Sequence, residues 1–143
     1  MGHQDKGHFA AKHKNSLINE TVADKIRART DNNSITCASA HKISKALNLT
    51  PSEIGIQIDL LEFQITECQL GLFGYTNGGK RINPEIEISP DLDDKLEKAA
   101  ADGRISCLSC WDIAGDLKMK RLDMGSACEK RNIRIKPCQL GSF

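Results

Sequence analysis

The residues that could do chemistry are few, and many of them recur 70 positions apart. Cys37 and Cys107 share one place in a repeated pattern and Cys68 and Cys138 share another, while Cys110 and Cys128 occur only in the later half. Matched thiols can form a metal pair or a redox pair, or can simply be small core side chains, since cysteine is among the most buried residue types. Core packing is the reading we expect, with a cysteine-based metal or thiol sensor as an alternative. Cys107-Leu108-Ser109-Cys110 is a single CxxC, and zinc knuckles pair two such motifs. Zinc or an iron–sulfur cluster would therefore need Cys107, Cys110, Cys128 and Cys138 to converge; no other cofactor is indicated. Cys110 also falls near the start of an expected helix, whose partial positive charge favours a thiolate.

Other catalytic signals are missing. His3, His8 and His13 are spaced by five, which does not place them on one helical face, and they sit among Gln4, Lys6, Lys12 and Lys14. No Ser/His/Asp order, Walker loop or GxGxxG occurs, and Asn77-Gly78-Gly79-Lys80 lacks the strand-loop-helix setting of a phosphate cradle. Asp93-Asp94 falls on an exposed helix face with nothing to raise a pKa. We therefore do not expect an enzyme.

Charge is the stronger signal. The chain has 143 residues, 39% hydrophobic and 27% charged, with a formal net charge of +1. That composition fits one or two small globular domains and excludes a uniformly basic coat or an acidic disordered tail. Basic residues are nevertheless concentrated. Lys118, Lys120, Arg121, Lys130, Arg131, Arg134 and Lys136 stand against only Asp123 and Glu129 between positions 118 and 136. The corresponding stretch of the earlier half is acidic, with Glu53, Asp59 and Glu62. No apolar run approaches the roughly 18 residues of a membrane span. The opening residues lack the apolar core of a secretory signal, and Lys6 stands where myristoylation needs Ser or Thr. Six cysteines in that setting suggest reduced thiols and a cytoplasmic location.

The elements that must position these residues are themselves duplicated. Ile35–Phe73 and Ile105–Phe143 align without a gap at twelve identical positions. These include Ile43/Ile113, Leu47/Leu117, Gly55/Gly125 and a CQLG-x-F signature at Cys68–Phe73 and Cys138–Phe143, for which the sequence offers no mechanism. Weaker matches extend upstream to Ile18/Ile88. Each copy reads as a first helix near Glu20–Thr30 or Pro90–Ala101 and a short strand at Ile35–Cys37 or Ile105–Cys107. A second helix over Ala38–Leu47 or Leu108–Leu117 follows, then a tight break and a third helix over Ser52–Leu61 or Leu122–Arg131. A strand at Phe63–Ile65 or Ile133–Ile135 closes the copy. The breaks carry Asn48 and Lys118, where a left-handed residue suits asparagine better than lysine. Only the first copy continues into an expected hairpin, Gly74–Ile82, with Asn-Gly-Gly at its bend.

That order, with Ile43–Ile58 and Ile113–Cys128 spanning a helix-turn-helix, resembles the winged helix-turn-helix domain. The resemblance implies a mainly α chain with short β, built as two tandem winged-helix domains from an internal duplication: a polar flexible tail at 1–17, one repeat at 18–83 and another at 84–143. It implies a DNA-binding transcriptional regulator that contacts duplex DNA through the second repeat. Lys118, Lys120 and Arg121 would begin the recognition helix, Ser126 and Lys130 would face the groove, and Arg134 and Lys136 would reach the backbone from the following strand. Lys80 and Arg81 would add contacts from the hairpin tip. Arg131, in the place of Leu61, would emerge at a domain interface, and a homodimer would present two recognition helices at once. The alternative is a protein–protein interaction adaptor, with the acidic third helix of the first repeat as its contact surface.

Overall fold

The computed structural model describes residues 10, 13, 16–76 and 79–142. Local signals start nearly every helix. The Asn19 side chain accepts from the amides of Thr21 and Val22 to open α1 (Glu20–Ala28), which buries Val22, Ala23 and Ile26. After β1 (Ser34–Thr36), Thr36 caps α2 (Cys37–Leu47). Thr50 and Glu53 form a reciprocal capping box ahead of α3 (Pro51–Leu60), with Pro51 in the first turn, where its missing amide costs nothing. β2 (Gln64–Thr66) follows. The same series recurs as α4 (Pro90–Ala99), β3 (Arg104–Ile105), α5 (Cys107–Asp116), α6 (Arg121–Lys130) and β4 (Arg134–Ile135).

Positions that need unusual backbone geometry recur as well. Left-handed φ angles appear at Asn32 and Asp102, Asn33 and Gly103, Asn48 and Lys118, Glu62 and Asn132, and Gly71 and Gly141. Each pair is separated by the same 70 residues that separate the matching side chains. Glu67 breaks the series because Pro137 stands opposite it, and the proline ring fixes φ near −65°.

β1 and β2 pair in parallel with Ile35 beside Ile65, and β3 and β4 pair in parallel with Ile105 beside Ile135. All four isoleucines are buried. Parallel pairing needs a crossover, and the two intervening helices supply it. Among the described residues the hairpin expected over Gly74–Ile82 does not extend into strands. A single bridge joins Tyr75 to Gly79, whose carbonyl accepts from the Tyr75 amide at 3.3 Å. Gly71, Gly74 and Gly79 all have positive φ, which coils the backbone instead of extending it. Asn77 and Gly78, at the expected bend, lie outside the described residues.

The chain divides into two compact units, but not at the boundary expected between 83 and 84. The first unit holds the chain up to Cys68 together with the segment from Gln139 onward, and the second holds Gln69–Cys138. Within the first unit Leu140 is 2% exposed, and a Cβ on Gly55 of α3 would lie 1.8 Å from the Leu140 carbonyl oxygen. Within the second unit Leu70 is 0% exposed, and a Cβ on Gly125 of α6 would lie 1.7 Å from the Leu70 carbonyl oxygen. The repeated CQLG-x-F motif thus has a structural role. Its leucine backbone rests on a helical glycine, and each unit is closed by the motif that ends the other repeat.

Candidate nucleic-acid interface

The β3–β4 pair gathers the cations of the second unit. In register, Arg104 lies beside Arg134, and both are exposed while Ile105 and Ile135 point inward. Alternation along β4 carries exposed Lys136 to the same side as Arg134. The Lys136 amide continues the ladder, donating to the Ile105 carbonyl at 2.8 Å. Strands stand about 4.8 Å apart, and like charges directly opposite one another are destabilising. An anion on this face would relieve that repulsion. The matching register of the first unit sets Ser34 beside Gln64 and Thr36 beside Thr66, which carry no charge. Arg104 was not among the residues expected to contact DNA; only the strand register joins it to Arg134 and Lys136.

Lys118 and Lys120 are exposed on the turn between α5 and α6. Lys118 sits at φ 54°, matching Asn48 at φ 55°. A lysine side chain is strained there, so Lys118→Gly should stabilise the second unit by about 1 kcal/mol. Urea titration would read it as a higher midpoint at unchanged slope. Lys120 caps α6 without a side-chain hydrogen bond, unlike Thr50 on α3.

The α6 helix does not present the face expected of it. Met124, Gly125, Ser126, Ala127 and Cys128 are buried in succession. Ser126, expected to point into a groove, is 1% exposed; its hydroxyl accepts from the Asn83 amide at 2.8 Å and donates to the Leu122 carbonyl at 3.1 Å. The Lys130 ammonium donates to the Ile86 carbonyl at 2.9 Å, and Lys80 pairs with Glu129 at 3.0 Å. The stretch between Lys80 and Ile86 therefore lies over α6. Arg121 stacks on Trp111, 3.6 Å from the ring centroid, and reaches the Gln69 side chain at 3.4 Å. Arg81 stands 5.6 Å from the Tyr75 ring centroid. Arg131, expected at a domain interface, instead pairs with Asp93 of α4 inside the second unit. Of the expected contact residues only Ser126 is buried; Lys80, Arg81, Arg121 and Lys130 are exposed but hold contacts within the second unit, and Lys118, Lys120, Arg134 and Lys136 are exposed as well.

In the first unit the end of α3 and the turn after it are contacted in a related way by Ala10, His13, Leu17 and Asn19. The Gln57 amide donates to the Leu17 carbonyl at 3.0 Å, and its carbonyl accepts from the Asn19 amide at 2.8 Å. Glu62 accepts from the Ala10 amide at 3.2 Å, and His13 Nε2 meets Asp59 Oδ2 at 2.8 Å. Asp59 is only 8% exposed. Among the described residues His13 thus packs on the first unit, and Asp59 and Glu62 of the acidic edge expected to meet a partner protein make contacts within the chain. His3 and His8 lie outside the described residues.

The four candidate metal-binding cysteines are not gathered into one centre. Cys110 and Cys128 meet across the core of the second unit with sulfurs 3.9 Å apart, a thiol–thiol contact between fully buried groups. The Cys107 amide donates to the Pro137 carbonyl at 3.0 Å, bringing the chain at Cys107 close to the residue before Cys138. Among the described residues no group of three or more His, Cys, Asp or Glu is placed to hold a metal ion.

Cys110 does not gain the thiolate character its helix position suggests. The hydrogen bond shared with Cys128 and then burial push its ionisation far above the ordinary 9.0. Its folded-state pKa is raised, so the associated stability is intact below pH 9 and is lost as pH climbs beyond it. There the unfolded thiol ionises and the folded one does not. Above that point the second unit should lose stability steadily with rising pH on account of Cys110. Urea midpoints across the alkaline range would show this loss, and replacing both thiols of the pair, Cys110→Ala with Cys128→Ala, would flatten it.

Among the described residues no helix is long and apolar enough to cross a membrane. Compared with protein-family models, curated proteins and solved structures, the chain matches none.

Proposed function

We propose that the chain is a non-enzymatic, DNA-binding regulator of the duplicated winged-helix type, contacting the duplex through its second unit. The observation that supports this reading is the in-register pair Arg104 and Arg134 with Lys136 alongside, a cationic face without counterpart in the first unit. The covered α6 directs the contact away from major-groove base reading. Phosphates are met by Arg104, Arg134 and Lys136 on the strand face and by Lys118 and Lys120 on the α5–α6 turn. Contacts of that kind set affinity and register on the backbone more than they read sequence.

A salt-titrated binding assay with random-sequence duplex tests the proposal. Each neutralised phosphate contributes about −0.9 to the slope of log affinity against log salt. Arg104→Glu combined with Arg134→Glu should lower affinity at least about tenfold at low salt and flatten the slope by about two. Ser34→Glu with Gln64→Glu, on the matching face of the first unit, should leave both quantities near their starting values. Unchanged affinity and slope in the arginine variant would reject the assignment.

A further inference from the structure

The closing motifs and their seats form an interchangeable set. Gln69-Leu70-Gly71 and Gln139-Leu140-Gly141 have the same sequence, and Gly71 and Gly141 share a positive φ of 79° and 81°. Their seats are the equivalent glycines of α3 and α6, each so close to a leucine carbonyl that a Cβ would overlap it. The seat of the first unit is filled by a short segment that leaves the second unit directly after Cys138. Nothing in that contact depends on the segment belonging to the same polypeptide. It uses one buried leucine, one backbone carbonyl and one helical glycine.

We propose that the Gly55 seat is a binding site for the Gln139–Ser142 segment of a second copy of this chain, so that two chains close each other's first units by reciprocal exchange. Exchange of an identical element creates no contact absent from the single chain, which makes it a low-cost route to a dimer. Within one chain the tether holds the segment at an effective concentration of about millimolar. The exchanged form is therefore favoured by refolding at high protein concentration and, once formed, is retained on dilution until the first unit opens.

The test uses the full chain with Ser142 replaced by a photoreactive benzophenone amino acid, prepared in isotopically heavy and light forms. The two forms are refolded together from urea at high concentration, separated by size and irradiated. The expected result is a dimer fraction in which the segment of one isotopic form is linked to α3 of the other. The monomer fraction should give only single-isotope links. Absence of a dimer at every concentration would overturn the proposal, as would a dimer whose links all stay within one isotopic form. Gly55→Ala should abolish the mixed links. If that variant does not fold, Leu140→Asp, which alters the segment and leaves the seat intact, must do the same.

Discussion

Gly125→Ala should destabilise the second unit by about 2–4 kcal/mol, although alanine is the better helix former by about 1 kcal/mol. The added methyl would lie 1.7 Å from the Leu70 carbonyl oxygen, and that neighbour is backbone that cannot rotate aside. Either α6 shifts or the Gln69–Gly71 segment lifts, and Leu70, now fully buried, loses its place. Gly115 supplies the opposite case within the same unit: it lies in α5, is exposed, and a Cβ there meets nothing within 4 Å. Gly115→Ala should stabilise by about 0.5–1 kcal/mol. Urea unfolding of both variants would show opposite signs. Equal shifts would mean that Gly125 is not a seat.

Removal of the chain beyond Cys138 should weaken the first unit, by about 2–5 kcal/mol for the loss of Leu140 from its core position. Covalent proximity suggests the reverse, because the deleted residues follow the second unit directly. Hydrogen exchange separates the two outcomes. Amides of α1, α2 and α3 should exchange faster in the shortened chain, while those of α5 and α6 keep their protection. Faster exchange confined to the second unit would contradict the assignment of the closing segment.

The helices and strands were largely legible before the structure. The Ile43/Leu47 and Ile113/Leu117 spacings carry a local physical reason for their helices, and local reasons survive in the fold. The left-handed geometry at Lys118 was visible because Asn48 stands at the equivalent position. Partner choice was less accessible. Because the two closing motifs are alike, their sequence says what they fit but not which copy they fit into. The burial of α6 had a trace in the run Gly125-Ser126-Ala127, small residues on which backbone can settle from more than one side. An amphipathic recognition helix would instead turn Ser126 outward. Arg104 escaped because a strand of two residues has no periodicity, so only its register with Arg134 reveals its role. His13 escaped because its partner Asp59 lies 46 positions away, far outside any local pattern.

The placement of the closing segments also bears on how the molecule is made. Domains generally fold in the order in which they leave the ribosome, the earlier one first. Here the earlier unit lacks its last piece until Leu140 has emerged, long after Cys68 is free to move. During synthesis the glycine on α3 faces an open seat, and apolar surface destined for Leu140 stays wet. The interval between the appearance of Gly55 and that of Leu140 is therefore the vulnerable window in the biogenesis of this protein, when a neighbouring nascent chain could take the vacant place.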